Sequence, residues 1–432
     1  MKKKITIISI SIITALLLLV LSLVIFNTPK DVALETQSTE STIQQSEPQV
    51  STKQGYSWAN KIWANKRDIS KVTHIIICDG EGSNISWTYG DAVIDLLDTQ
   101  LFIYTDDTIP VTAADNMFAE MTNLESITGI ERFDFSNCET FQGMFYNCAK
   151  LNTLDLTANS FSKAKNMSKM FYGCENLKSF KINNVTLPQI TDMSQMFEEC
   201  TSLASLQIPE TPVATNTNRM FKGVGYNTDG GCTVSGNMSF PNCTDYTEMF
   251  LGSQFASLDF VNDFNMEKAT IVDRMFCDAV CPEDIDLSKW NTTHLQSAYE
   301  MFYGASNVRS IILDNWDCNS LVSCEEMFHL TSAHDISLKW KNVKKLENVN
   351  SMFNASMGLQ EINLSGFNGI HVKEANQMFM DCYMLQQITC AGFTADVGTE
   401  AFYKCDLLKG AIGFDASKTD INMANTKGYF ID

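Results

Sequence analysis

The chain has 432 residues, 19 % of them charged and 44 % hydrophobic, and its formal net charge is −20. This length suits two or three ordinary domains or one long repeat array, and the apolar fraction excludes a mostly disordered protein. Because 51 acidic residues outnumber 31 basic ones, the surface repels phosphate polymers, and nucleic acid is excluded as a partner.

The N-terminal segment predicts a single membrane anchor. Residues 5–26 contain no charge and span about 33 Å as a helix, which is enough for a bilayer core. The lysines of residues 1–4 form a cytoplasmic tail by the positive-inside rule, so the C-terminal bulk is expected outside the cell. A cleaved signal peptide, followed by secretion, is the alternative. Residues 27–55 are rich in Thr, Ser, Gln and Glu and predict a flexible tether.

The dipeptide Met-Phe recurs through the remaining chain at intervals of about 26 residues, which is the range of leucine-rich solenoids. We predict an α/β repeat, a leucine-rich-repeat solenoid of about 12 coils, each with a short parallel strand and one helical turn that packs Met and Phe inward. The phenylalanines are Phe118, Phe145, Phe171, Phe197, Phe221, Phe250, Phe276, Phe302, Phe328, Phe353 and Phe379, and Phe402 follows alanine in the last unit.

Downstream of each Phe lies an apolar–x–apolar triplet, which predicts a strand with two inward residues and one outward residue. The outward residues form a ladder across the coils, and repeat proteins commonly bind partners on such a face. The sequence therefore nominates these residues as ligand-facing: Thr128, Asp155, Lys181, Gln207, Thr233, Asp259, Asp286, Ile312, Ser337, Asn363 and Thr389. Asp259 and Asp286 fall on adjacent coils, and a calcium ion between them is a second hypothesis.

Another column of aromatic residues keeps the same period and is interpreted as core: Phe133, Phe264, Trp290, Trp316, Trp340 and Phe367. Open solenoid ends need atypical units. We therefore assign residues 56–116, with Trp58 and Trp63, to an N-terminal cap of mixed structure that includes strand-like runs at Thr73–Cys78 and Gln100–Thr105. Residues 117–412 form the solenoid, and residues 413–432 form a C-terminal cap.

The repeat units carry a family resemblance. Met170–Leu177 and Met196–Leu203 resemble Met-Phe-x-x-Cys-x-x-Leu, the signature of BspA-type leucine-rich repeat surface proteins, and Val397–Cys405 resembles the Ile-Gly-x-x-Ala-Phe-x-x-Cys variant. The resemblance covers about residues 85–432 and implies a right-handed solenoid displayed outside the cell and associated with adhesion. The Asp-Thr-Ser-Asn-Val stretch of the family is degenerate in this chain, and no wall-sorting signal is present.

The 14 cysteines are interpreted mainly as buried thiols, because five of them share one coil position with small residues such as Ala305 and Ser356. Bridges between adjacent coils, Cys148–Cys174 or Cys382–Cys405, stay geometrically possible. No nucleophile motif, phosphate loop or zinc spacing accompanies the five histidines, so the sequence predicts no enzyme, no cofactor and no metal centre.

The expected function is that of a membrane-anchored adhesin or binding module for an extracellular or host macromolecule, protein or glycan. A structural surface spacer without a specific ligand is the alternative. A surface hydrolase with an unrecognised Cys or Asp site is the third reading.

Overall fold

A computed structural model describes residues 55–183, 186–236, 238–282 and 284–432. The predicted tail, membrane anchor and almost all of the predicted tether lie outside these residues. Among the described residues, none forms a helix with the length and apolar character needed to cross a bilayer.

The repeat folds as a solenoid of about twelve turns around one continuous core. Every Met-Phe phenylalanine is buried, and the rings stack from turn to turn with centroids 5.1 to 6.0 Å apart, from Phe118 to Phe402. The second aromatic column is also buried, and its best-ordered part stacks Trp290, Trp316 and Trp340 at 6.0 and 6.1 Å. Both columns are therefore packing residues, as the sequence predicts.

Short parallel strands line one side of the solenoid, usually one per turn. In the three-residue strands the middle residue points toward the core, as Ile285 and Ile311 do, so the neighbours on either side point outward. The strands of this ladder are β2 (His74–Cys78), β5 (Gln100–Tyr104), β7 (Ser126–Thr128), β9 (Ser179–Phe180), β10 (Ser205–Gln207), β11 (Thr233–Ser235), β12 (Asp284–Asp286), β13 (Ser310–Ile312), β14 (Asp335–Ser337), β15 (Glu361–Asn363) and β17 (Gln387–Thr389).

A second line of parallel contacts joins the turns just before the Met-Phe pairs. It begins and ends in short strands, and single bridges such as Asn166 to Asp192 connect the turns between them. Its strands are β1 (Tyr56–Ser57), β6 (Ile109–Ala113), β8 (Phe133–Asp134), β16 (His371–Glu374) and β18 (Thr394–Val397). The solenoid is thus held by backbone hydrogen bonds along two lines as well as by its core.

The predicted helical turn at the Met-Phe pair is wrong. Within the described residues the only helices are five short 3₁₀ segments: Ala59–Ala64, Ile130–Arg132, Asp259–Asp263, Ser365–Phe367 and Ile421–Met423. The residue two positions before Phe has a positive φ of +50° to +60° in every turn, which is incompatible with a right-handed helix. These residues are Asn116, Gly143, Lys169, Gln195, Arg219, Glu248, Arg274, Glu300, Glu326, Ser351, Gln377 and Glu400.

The left-handed residues redirect the backbone toward the neighbouring turn. The N–H groups of Lys169, Phe171 and Gly173 donate to carbonyl oxygens of the next turn at 2.8 to 2.9 Å. In a helix those N–H groups would bond within their own segment. Here every second N–H group bonds to the neighbouring turn, so the Met-Phe segment contributes to the stacking of turns rather than to helix formation.

Atypical structure closes both ends. At the N-terminal end β3 (Trp87–Tyr89) and β4 (Ala92–Leu97) continue the ladder as antiparallel strands beside β5. Trp63 packs on Phe118 at 5.8 Å and Trp58 on Phe133 at 4.8 Å, which places a tryptophan at the N-terminal end of each aromatic column. At the other end Tyr429 and Phe430 pack against Phe402 at 5.3 and 6.0 Å.

Candidate functional site: the strand-ladder face

The outward residues of the ladder form two parallel rows, best defined where five strands are hydrogen-bonded without interruption. We call these five strands, β12, β13, β14, β15 and β17, the strand-ladder face. In-register pairing places like positions side by side. The first row is Asp284, Ser310, Asp335, Glu361 and Gln387, and the second row is Asp286, Ile312, Ser337, Asn363 and Thr389.

The sequence nominated the second row in full but missed the first. Each first-row residue lies two positions before its second-row partner on the same strand, so strand alternation alone places both on one face. The predicted triplet began one residue late, at the buried Ile285 rather than at Asp284, and therefore included only one of the two outward positions. Strand alternation extended one residue upstream would have found the first row.

The remaining nominated residues are placed less regularly. Thr128 and Gln207 end strands β7 and β10, as expected of outward positions. Thr233 pairs with Ser205 rather than with Gln207. Ser235 pairs with Gln207 and therefore holds the ladder position that the sequence assigns to Thr233. The other three lie outside the described strands, and each is exposed: Asp155, Lys181 and Asp259.

Asp259 is the clearest correction among them. It begins the 3₁₀ segment Asp259–Asp263, where its N–H donates to Ser257 Oγ at 3.0 Å. Its turn closes instead through isolated bridges from Gln254 to Val280 and from Val280 to Ser306. The apolar–x–apolar pattern at Leu258–Phe260 is therefore not a strand, because the same pattern is compatible with a tight helical turn.

The calcium hypothesis gains no support from the ligand geometry. Asp259, Asp284 and Asp286 line a common hollow, yet the described residues contain no group of three His, Cys, Asp or Glu side chains arranged to hold a metal ion. Asp286 Oδ1 accepts a hydrogen bond from the Ser288 N–H at 2.9 Å. Asp284 is paired with Arg309 Nη2 at 2.7 Å.

A shallow cleft of about 400 Å³ runs along the strand-ladder face. It crosses β13, β14, β15 and β17, and Asp314 and Lys339 stand beside the strands. Nine of its thirteen lining residues are polar, the other four are isoleucines, and Ile312 is a half-buried apolar residue at an outward position. Such a floor can hydrogen-bond an extended ligand along several turns at once.

Two ion pairs organise the charges in and beside the cleft. Hydrogen bonds from Ser310 and Arg309 lower the pKa of Asp284. Partial burial opposes ionisation of Asp314, but hydrogen bonds from Lys339 and Ser337 outweigh it and lower the pKa of that carboxyl. Both carboxylates therefore stay charged and fix the side chains beside them.

The buried cysteines are poorly suited to act as nucleophiles. All fourteen are thiols, and thirteen are buried. Burial raises the pKa of Cys148 and Cys405 to about 12, and raises that of the other buried thiols as well. A catalytic cysteine needs the opposite shift, because the thiolate is the reactive form.

The position three residues after Phe holds compact side chains, and in several turns it also provides a hydrogen-bond donor, which the sequence did not reveal. Cys148, Cys174 and Cys200 donate S–H hydrogen bonds to the carbonyl of the Phe in the preceding turn at 3.1 to 3.2 Å. Ser356 makes the same contact with Phe328 at 2.6 Å. The position therefore favours a compact donor, and the Cys148–Cys174 and Cys382–Cys405 bridges are not formed.

One short parallel strand in most turns, a period of about 26 residues and a shared apolar core define a solenoid of the leucine-rich-repeat type. The chain belongs to the family described as "Mycoplasma protein of unknown function, DUF285", which matches residues 98–210, 215–338 and 307–397. No curated protein matches the sequence.

Solved structures give two further comparisons. A leucine-rich repeat protein from Bacteroides ovatus is 16 % identical with a TM-score of 0.39, over 78 % of this chain and 86 % of the other. A chain of the TLR13–ssRNA13 complex is 12 % identical with a TM-score of 0.17, over 70 % of this chain and 48 % of the other.

Proposed function

We propose that the chain is a cell-surface solenoid protein that binds an extracellular macromolecule, protein or glycan, through its strand-ladder face. The uninterrupted sheet from β12 to β17, with its open cleft, carries this proposal. Extended ligands gain affinity from many small contacts when like positions repeat along a rigid surface. The BspA-type resemblance of the repeat units supports a surface role.

The binding role is tested by pull-downs and glycan arrays with the full chain and two pairs of variants. Ser337→Arg and Asn363→Arg place bulk on the second row of the face. Glu175→Arg and Asp229→Arg place the same side chain on exposed positions away from it. We expect a partner that the control variants retain and the ladder variants lose. A partner retained by both pairs, or consistent absence of any partner, contradicts the proposal.

A structural spacer is the second candidate. Several polar groups of the face are satisfied within the protein, since Ser310 donates to Asp284 at 2.8 Å and Ser337 donates to Asp314 at 2.7 Å. A structural spacer needs only such internal hydrogen bonds and no contact with a ligand. Scattered substitution of both rows separates the two functions, because only a binder loses affinity for a partner.

We also propose that residues 5–26 hold the protein in the membrane, with the solenoid outside the cell. The uncharged run and its flanking lysines support this placement. Protease treatment of intact cells should digest the solenoid while a short N-terminal fragment stays with the membrane after alkaline extraction. Release into the medium of a chain that lacks residues 5–26 would instead favour the cleaved and secreted alternative.

A further inference from the structure

The strand-ladder face carries negative charge that its own cations do not neutralise. Arg309 Nη2 lies 2.9 and 2.7 Å from the two carboxylate oxygens of Asp284. Lys339 Nζ lies 2.8 Å from Asp314 Oδ2. Both cations beside the cleft are therefore engaged with carboxylates of their own, and they contribute little to the remaining acidic residues.

Asp335 and Glu361 are the uncompensated pair. They hold the first-row position of neighbouring strands β14 and β15 and are paired in register. Both are exposed, and among the described residues neither carboxylate forms an ion pair. Strand spacing places them about 4.8 Å apart at the backbone, and like charges directly opposite each other are unfavourable. A cation between them would relieve this repulsion.

A metal ion is a poor candidate for that cation. Divalent ions need several oxygen ligands, and the described residues offer no cluster of three acidic, His or Cys side chains for one. An ammonium or guanidinium group needs only one or two carboxylates. The chemistry of the pair therefore favours an organic cation.

The shape of the cleft selects an extended ligand. It spans four strands, β13 to β15 and β17, or about 14 Å at the usual strand spacing, which matches about four residues of extended polypeptide. Half-buried Ile312 offers an apolar surface against which the methylene stem of a lysine or arginine can lie. The exposed carboxylates repel an anionic polysaccharide.

We propose that this face docks an extended segment of a partner protein rich in lysine or arginine, with basic side chains bound by Asp335 and Glu361. This inference rests on the proposed function and names the partner class for the same surface. Electrostatic attraction at such a face raises the association rate and falls with salt.

The test uses the full chain in non-ionic detergent and a labelled peptide of alternating lysine and serine. The same peptide with acetylated lysines and a heparin-derived oligosaccharide serve as comparison probes. Binding is measured by fluorescence anisotropy at low and high salt. The variant Asp335→Asn/Glu361→Gln removes both charges, and Asp229→Asn/Asp406→Asn, two exposed positions away from the face, is the matched control. Circular dichroism verifies that both variants fold.

We expect the lysine peptide to bind the native chain, the first variant to lose about tenfold in affinity and the control to lose less than about twofold. The acetylated peptide and the heparin probe should not compete. Equal affinity for the charged and acetylated peptides, equal loss in both variants, or preferential binding of heparin overturns the proposal. If the lysine peptide fails while another macromolecule binds in a ladder-dependent way, the proposed function stands and only this partner class is wrong.

Discussion

Thirteen cysteines lie in the core, where no polar solvent stabilises a thiolate, and this decides their chemistry. We expect a disulfide reagent at about pH 8 to modify only Cys78 in the native chain, since that thiol alone is partly exposed. The other thirteen should react only after denaturation. The number of reactive thiols is measured from the chromophore that the reagent releases, before and after unfolding. Cys78→Ser should abolish the signal of the native chain. Rapid native labelling of several thiols would contradict the buried arrangement.

The same thiols predict alkaline sensitivity. Burial raises their pKa above the ordinary value of 9.0, to about 12 for Cys148 and Cys405. Below pH 9.0 the thiol is protonated in both states, and the free energy of unfolding does not depend on it. As pH rises from 9.0 toward 12, the unfolded state releases a proton that the folded state keeps, so the free energy of unfolding falls. Each thiol contributes a slope of about 1.4 kcal/mol per pH unit inside that window. Denaturant midpoints measured from neutral to alkaline pH should therefore fall steeply above pH 9.0, and a flat profile would refute this.

At the scale of the structural element, the Met-Phe segment depends on left-handed residues. One precedes Met and another lies two residues after Phe in each turn, and none of these positions holds Val, Ile or Thr. β-branched side chains clash most in this conformation. The exclusion has a steric cause, because the left-handed backbone brings Cβ too close to the following carbonyl oxygen.

Lys169, with φ of +56°, provides the test. Lys169→Val should destabilise the fold by about 1–2 kcal/mol, whereas Lys169→Gly should be nearly neutral, because relief of strain offsets the added freedom of the unfolded chain. Urea unfolding measures both. Lys178→Val, at an exposed position with ordinary φ, is the control and should change stability by less than about 0.5 kcal/mol. Equal effects at 169 and 178 would show that the left-handed turn is not required.

At the scale of the whole molecule, stability is shared between neighbouring turns, and each end must cover an open column of rings. Trp63 does so over Phe118, and its Nε1–H donates to the Met117 carbonyl at 3.0 Å. Trp63→Ala should cost about 3–5 kcal/mol and loosen the first turns more than the last ones. Hydrogen exchange should show faster exchange in residues 56–134 and little change in residues 350–400.

An interior substitution gives the contrast. Phe302 stacks on Phe276 and Phe328 at 5.3 and 5.6 Å, so Phe302→Ala should loosen turns on both sides of its own. If both variants loosen the chain uniformly, the solenoid unfolds as one unit and the nearest-neighbour description is wrong.

The recurring Met-Phe pair, the second aromatic column and the outward second row could be read from the sequence because each depends on periodicity. A burial pattern repeated at one interval admits one stacking arrangement, in which like residues become neighbours. The first row could have been found by the same reasoning. The helical turn could not, since a segment such as Asn166–Phe171 is compatible in composition with a helix.

The sequence by itself therefore determined that the chain is a stacked repeat with continuous aromatic columns, because a fixed period forces equivalent side chains into contact. Only the tertiary structure decided how each turn is closed. The left-handed residues before Met and the S–H donors such as Cys174 satisfy backbone groups of a neighbouring turn, and a 3₁₀ turn replaces the strand at Asp259. It also placed Asp335 beside Glu361, 26 positions apart in the chain and in register on adjacent strands. Such pairings depend on register between turns, which is a property of the folded stack and of no single repeat.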